Sequence, residues 1–179
     1  MSITSIVGIT LGVIVFVILV MIVCWIIATY NALSRRRNNV DEAFVFLDNY
    51  LKKRYDMLSQ ILSKAQDYFA QPLVENIKNA RNIALASKNI DEQLVNDANL
   101  SKLCVAFLAE FEKIAQNNVE LQQEYNEFLD VQKEINSAVI YYNGMVKVYN
   151  SKRGVFPANI ISKWFKFEEK KQYIVDEIK

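Results

Sequence analysis

The feature that most constrains this chain is an apolar segment at its N-terminal end. Residues 1–34 carry no charged side chain, and between Ile6 and Ala28 the breaks at Gly8, Thr10 and Gly12 are only weakly polar. A helix of about 23 residues is about 35 Å long, whereas the hydrocarbon core of a bilayer is about 30 Å thick. The segment therefore predicts one membrane-spanning helix.

The flanks of this segment predict a retained anchor with a defined orientation. A cleaved signal peptide has a positively charged start and a small-residue cleavage site, but residues 1–5 contain no Lys or Arg. Because positive charge stays on the cytoplasmic side, we expect the N-terminal tail outside the cell membrane and the rest of the chain in the cytoplasm. The residues expected at the membrane interface are Trp25, Tyr30, Arg35, Arg36 and Arg37.

Composition argues against several classes of protein. The chain has no His, which excludes a Ser-His-Asp triad, a His-bearing zinc site and a Glu-x-x-His di-iron bundle. Its four glycines form no Gly-x-Gly loop, and Cys24 lies too far from Cys104 for a metal knuckle. A net charge of +1 argues against binding to phosphate backbones. We therefore predict no catalysis, no cofactor, no metal and no nucleic-acid partner.

Beyond the arginines, apolar residues recur at helical spacing. One stripe runs from Val40 to Phe69, and Pro72 suits the first turn of a second helix that extends to about Ser87. Asn39 and Glu42 have the spacing of a capping box, so the membrane helix is either jointed there or continuous with the stripe. We expect Asp91 to cap a third helix.

The last long helix, Val119 to Ser151, carries a strict repeat of seven, as in a coiled-coil seam for antiparallel packing. No strand pattern is present. The predicted fold is all-α, with one N-terminal transmembrane helix followed by an antiparallel bundle of about four helices. The expected domains are 1–34 for the tail and transmembrane helix, 35–157 for the cytoplasmic bundle, and 158–179 for a short amphipathic C-terminal tail.

Three polar residues are singled out within the bundle. Arg54 falls on the apolar stripe, so it is expected either to pair with a carboxylate from a facing helix or to bind a partner. Asn143 and Asn150, with Asn136, form a row beside the seam. These amides either line its solvated rim or are partly buried and fix helix register by hydrogen bonds to neighbouring helices.

The C-terminal tail has the composition of a short amphipathic helix. Its candidate residues are Trp164, Phe165 and Phe167, which are interleaved with lysines. Their apolar face either closes the end of the bundle or lies on an anionic membrane surface.

Several stretches together resemble the LemA family of bacterial membrane-anchored helical proteins. They are Tyr30-Asn31-x-Leu33, Arg37-Asn38-x-Val40, Leu51-Lys52-Lys53-Arg54-Tyr55-Asp56, Tyr142-Asn143 with Tyr149-Asn150, and Phe156-Pro157 before Phe165-x-Phe167. The chain departs from the family pattern at Phe44, where the family usually has Trp, and in lacking a proline after Leu58. The resemblance implies a single N-terminal membrane helix joined to long antiparallel helices in the bacterial inner membrane. The activity of the family is largely undefined, and only one branch of it, similar to magnetosome-membrane proteins, hints at a membrane-organising role.

We expect a membrane-anchored scaffold that binds other membrane or cytoplasmic proteins, in addition to the lipid bilayer. The alternative is a membrane-remodelling or lipid-sensing module that acts through its tail. Gly8 and Gly12 are either small residues in an apolar helix or a close-approach motif that pairs two copies into a homo-oligomer.

Overall fold

Helix α1 runs without interruption from Ile3 to Ala65 in the computed structural model, which describes residues 3–175. The joint considered at Asn39 is absent, because no proline precedes Pro72 and the helix contains no glycine after Gly12. The side chains of residues 6–25 are all exposed. By length and composition, this part of α1 is able to cross a membrane.

Within the described residues the other elements are also helical, and no strand occurs. A short 3-10 turn, Gln66–Tyr68, follows α1. The remaining α-helices are α2 (Gln71–Leu85), α3 (Ile90–Ala115), α4 (Val119–Gly154) and α5 (Ala158–Trp164). The chain divides into two compact units. Of the described residues, the first unit comprises 3–39 together with 148–170, and the second unit comprises 40–147 together with 171–175.

The start of α3 differs from the sequence prediction. Asn89, rather than Asp91, caps the helix, since its Oδ1 accepts a hydrogen bond from the Glu92 backbone N–H at 2.9 Å. The Glu92 carboxylate in turn accepts from the Lys88 backbone N–H at 3.1 Å. Asn89 takes this position because its extended backbone lets a short amide reach the third N–H of the helix.

In the second unit, paired residues give the relative direction of the helices. Lys64, Arg54 and Phe44 of α1 pair with Glu124, Gln132 and Tyr142 of α4, respectively. The residue numbers fall along α1 as they rise along α4, so the two helices are antiparallel. Moving forward along α1, Asp48 accepts from Gln93 and Arg54 donates to Ser101, so α1 and α3 are parallel. Arg81 donates to the Tyr55 carbonyl and Lys78 to Gln66, which makes α2 antiparallel to α1. Each of these helices therefore reverses the direction of the one before it.

An aromatic cluster fills part of the core of the second unit. Phe69 stacks on Phe107 with ring centroids 4.7 Å apart, and Phe107 meets Phe128 edge to face at 5.5 Å. Phe111 lies against both Phe69 and Tyr125. Because truncating a buried phenylalanine costs about 3–5 kcal/mol, this cluster contributes strongly to the packing of α3 on α4.

In the first unit, the tail is helical over a shorter stretch than its composition suggests. Helix α5 ends at Trp164, and Lys166 adopts a left-handed backbone with φ of 52°. The Phe167 N–H donates to the Ser162 carbonyl at 2.9 Å, and the Lys166 N–H donates to the Lys163 carbonyl at 3.4 Å. These two bonds form a Schellman ending, which turns the chain out of the helix.

Candidate functional site

A buried carboxylate organises the polar interior of the second unit. Asp97 of α3 is 0% exposed and accepts three hydrogen bonds, from Arg54 Nη2 at 2.5 Å and from the hydroxyls of Tyr55 and Tyr173 at 2.6 Å each. Ser101 joins the cluster, since its Oγ accepts from Arg54 Nη1 and lies 2.8 Å from the Tyr173 hydroxyl. Three separate segments of the chain therefore meet at one carboxylate: α1, α3 and the C-terminal tail.

The charges in this cluster balance each other. Burial alone would lower the pKa of the Arg54 guanidinium, but the facing Asp97 carboxylate contributes to raising it overall. Burial, reinforced by Asp97, raises the pKa of the Tyr55 and Tyr173 hydroxyls. Arg54 is thus fixed as a cation and both phenols remain hydrogen-bond donors, an arrangement suited to holding segments together.

Of the two roles considered for Arg54, the structure shows an ion pair with a facing helix. The partner Asp97 was not identified from the sequence, although its position carried a signal. Asp97 lies three residues after Leu94 and seven before Cys104, on the same apolar stripe of α3. A carboxylate at such a position needs a buried cation, as Arg54 on α1 needed an anion.

The two asparagines of the Tyr-Asn pairs bind backbone. In the second unit, Asn143 Nδ2 donates to the Tyr173 carbonyl and Asn143 Oδ1 accepts from the Tyr173 N–H, both at 2.8 Å. In the first unit, Asn150 makes the same pair of bonds with Lys170, at 2.8 and 3.1 Å. Each asparagine side chain therefore pairs with both the backbone N–H and the backbone C=O of one tail residue.

The tyrosines that precede these asparagines bind the same tail. The Tyr142 hydroxyl donates to the Lys171 carbonyl, and the Tyr149 hydroxyl donates to the Glu168 carbonyl, both at 2.8 Å. Asn143 and Asn150 are therefore partly buried, as one alternative expected, but they bind an extended segment instead of a neighbouring helix, whereas Asn136 is exposed. An extended segment lacks the i to i−4 hydrogen bonds of a helix, so side chains of a neighbouring helix can bind its N–H and C=O groups.

The spacing of the pairs suits an extended partner. Seven residues of helix advance about 10.5 Å, and three residues of extended chain advance about 10 Å. Asn143 and Asn150 are seven apart, and Tyr173 and Lys170 are three apart. A repeat of seven on a helix can therefore hold every third residue of an extended chain.

A groove of about 620 Å³ lies beside the Asp97 cluster in the second unit. Its polar wall includes Arg54, whose buried Nε has no hydrogen-bond partner among residues 3–175. Cys104 also lines the groove, and burial raises the pKa of its thiol to about 11. The thiol is therefore protonated at neutral pH and is a poor nucleophile. Within residues 3–175, no group of His, Cys, Asp or Glu side chains is arranged to hold a metal ion.

The predicted interface residues fall in the first unit with the tail aromatics. Tyr30 contacts Phe165 and Phe167, with ring centroids 4.9 and 5.5 Å apart, and the Arg37 guanidinium lies 5.6 Å over the Phe167 ring. Phe167 is 5% exposed, whereas Trp164 is 68% exposed. Trp25 is exposed on α1 together with Arg35, and Arg36 is half-buried. Phe167 therefore packs inside the first unit, while Trp164 faces outward.

A second exposed apolar surface lies on the second unit. Phe46 meets Tyr50 of α1 and Tyr141 of α4 edge to face, with ring centroids 5.2 and 6.2 Å apart. Val45, Phe46 and Tyr141 are exposed, and Tyr50 is half-buried. We call these four residues the aromatic patch. Exposed aromatic clusters of this kind are typical of protein interaction surfaces.

These features define an all-helical protein with one long apolar N-terminal helix and an extended C-terminal segment held by Tyr-Asn pairs. A family model confirms the resemblance drawn from the sequence: the LemA family model matches residues 43–179. The chain belongs to the LemA family. No curated protein matches its sequence significantly.

Proposed function

We propose that this protein is a single-pass membrane scaffold with no catalytic activity, whose helices lie in the cytoplasm and bind other proteins. The observation that carries this proposal is the exposure of the apolar part of α1. Residues 6–25 pack against nothing else in the part of the chain that the structure describes, and such a surface is stable only in a hydrocarbon environment or against a partner. The cluster of Arg35, Arg36 and Arg37 at the end of the apolar segment supports a cytoplasmic location for the helices beyond it.

The position of the aromatic patch in the sequence supports the scaffold role. Phe46 follows Tyr30 by sixteen residues, beyond the three arginines that end the apolar segment, and it lies in a stretch that also carries charged side chains. Such a stretch suits water rather than the hydrocarbon core, so lipid is not the expected occupant of the patch. A protein partner is therefore the better occupant for it. A second copy of the chain is a further candidate partner. It would pair through Gly8 and Gly12 in the apolar segment, where the described residues leave open space beside both glycines.

Site-specific photocrosslinking in living cells tests this role. A photoreactive phenylalanine analogue at Phe46 should form crosslinked products of defined mass. The same analogue at Gln60, which is exposed on α1 outside the patch, is the matched control. Equal crosslinking at both positions, or none at Phe46, would count against a scaffold that acts through the aromatic patch.

A lipid-directed role is the second candidate, and one observation favours it. Trp164 and Phe165 are exposed beside lysines in the first unit, which also contains Tyr30. Such a composition suits a membrane interface.

A further inference from the structure

We infer that the segment from Val155 to Lys166 is a second membrane contact, which inserts its apolar side chains into the headgroup region of the leaflet that α1 leaves at Tyr30. This inference rests on the proposed membrane anchor and adds a lipid surface to it. The partner is the bilayer itself, with anionic headgroups facing the lysines of the segment.

The first argument is the exposure of large apolar side chains on one face. Ile160 and Trp164 are spaced by four residues, which places them on one side of α5, and Phe156 lies in the turn just before the helix. Phe156 is 74% and Trp164 is 68% exposed, and Ile160 is also exposed. The opposite side of α5 is buried through Ala158, Ile161 and Ser162. The short helix is therefore amphipathic with its larger apolar residues on the outer side, the reverse of what water favours.

The second argument is location within the first unit. Phe165 directly follows α5 and contacts the ring of Tyr30, which lies at the end of the apolar part of α1. Two residues further on, Phe167 lies between Tyr30 and Arg37. Because α1 is continuous, Arg37 is about 10 Å further along the helix than Tyr30. The tail therefore starts at the boundary of the apolar segment and then runs away from it, which leaves α5 at the membrane end.

The third argument is the chemistry of the residues that surround the exposed apolar side chains. Lys163 and Lys166 are exposed beside Trp164 and Phe165. Tryptophan and lysine together are typical of interfacial segments, since the indole tolerates the headgroup layer and the ammonium groups bind anionic lipid. Lys166 also occupies the left-handed position that glycine usually takes in a Schellman ending, so the chain accepts backbone strain there while presenting a cation. A protein partner would explain the apolar face but would not require this location.

The two tryptophans of the chain allow the anchor and the second contact to be tested separately. Full-length Trp25→Phe retains only Trp164, and full-length Trp164→Phe retains only Trp25. Each variant is reconstituted into vesicles of phosphatidylcholine and phosphatidylglycerol, with bromine atoms on the acyl chains at a shallow or a deep position. Bromine quenches a nearby indole, so the loss of fluorescence reports the depth of each tryptophan.

The expected result is quenching of both tryptophans, with Trp164 responding to the shallow bromines more than to the deep ones and being shielded from iodide in the water. Quenching of Trp25 alone, with Trp164 open to iodide, would overturn the second contact and leave the anchor in place. If Trp25 is not quenched either, the anchor itself fails. Quenching of Trp164 in phosphatidylcholine alone would support insertion but overturn the role given to the lysines, unless phosphatidylglycerol increases it.

A substitution on the same surface gives an independent check in the Trp25→Phe background. Phe156→Glu places a charge on the inserted face, so it should reduce the bromine quenching of Trp164 severalfold while helix content stays unchanged. Val119→Glu is the matched control, because Val119 is 92% exposed at the start of α4 in the second unit. Equal quenching of Trp164 in both variants would contradict the inference.

Discussion

Asn143 makes two hydrogen bonds to the backbone of Tyr173, which we call the clamp, and the size of the effect of breaking it can be worked out from these contacts. Asn143→Ala removes two hydrogen bonds of 2.8 Å to the backbone of Tyr173 and leaves that N–H and C=O unpaired. A net contribution of about 0.5–1.5 kcal/mol for each bond gives a loss of about 1–3 kcal/mol for opening of the tail. Asn143→Asp should cost more, since a carboxylate then faces the Tyr173 carbonyl and offers no donor.

Hydrogen exchange followed by mass spectrometry measures this loss directly in the full chain held in nanodiscs. An opening free energy lower by about 1–3 kcal/mol makes amide exchange about 5- to 150-fold faster. The expected change is confined to the peptide that contains Tyr173. Asn136→Ala is the control, because Asn136 lies one heptad earlier on the same row of α4 and is exposed. Unchanged exchange at Tyr173 in Asn143→Ala, or equal acceleration in both variants, would refute the clamp.

The remaining predictions concern the Asp97 cluster. Asp97→Asn leaves Arg54 as a buried cation without a counter-charge, so urea unfolding followed by circular dichroism should show a loss of about 3–5 kcal/mol; Arg54→Met combined with Asp97→Leu should lose less than the sum of its two single variants, and additive losses would contradict the ion pair. Because the pKa values of Tyr55 and Tyr173 are raised above their ordinary 10.0, the stability that they contribute is intact below pH 10 and falls as the pH rises further; tyrosinate absorbance of the folded chain at pH 10 should be the same with and without Tyr55→Phe or Tyr173→Phe, and a decrease in either variant would argue against this. Cys104, with a pKa of about 11, should react with iodoacetamide at pH 7.5 far more slowly in the folded chain than after unfolding in dodecyl sulfate, and equal rates would show that the thiol is not buried.

Helical periodicity made most of the secondary structure predictable. The apolar stripe from Val40 to Phe69 and the seam of the last long helix are local patterns, and each depends only on which side chains face the interior. The sequence leaves the continuity of α1 open because the capping-box residues Asn39 and Glu42 are equally compatible with a helix interior. The cap at Asn89 escapes prediction for a similar reason, since Asp91 two residues later is as good a capping residue by type.

The tail and its contacts were beyond what the sequence patterns could give. Composition marked Trp164, Phe165 and Phe167 as a group, but it did not separate the buried Phe167 from the exposed Trp164. The repeat of Asn143 and Asn150 indicated a constraint, and the expected partner was a helix because periodicity describes helices well. An extended segment held by the side chains of a helix gives no periodic signal in the sequence, so only the fold identifies Lys170 and Tyr173 as the bound residues.

The central claim is a single membrane crossing with the helical units in the cytoplasm, and thiol labelling in cells tests it most directly. In a background of Cys24→Ser and Cys104→Ala, single cysteines are placed at Ser2 and at Gln60 and treated with a membrane-impermeant maleimide. The account predicts labelling of Ser2→Cys in intact bacterial cells, and labelling of Gln60→Cys only after the membrane is permeabilised. Labelling of Gln60→Cys in intact cells would contradict it.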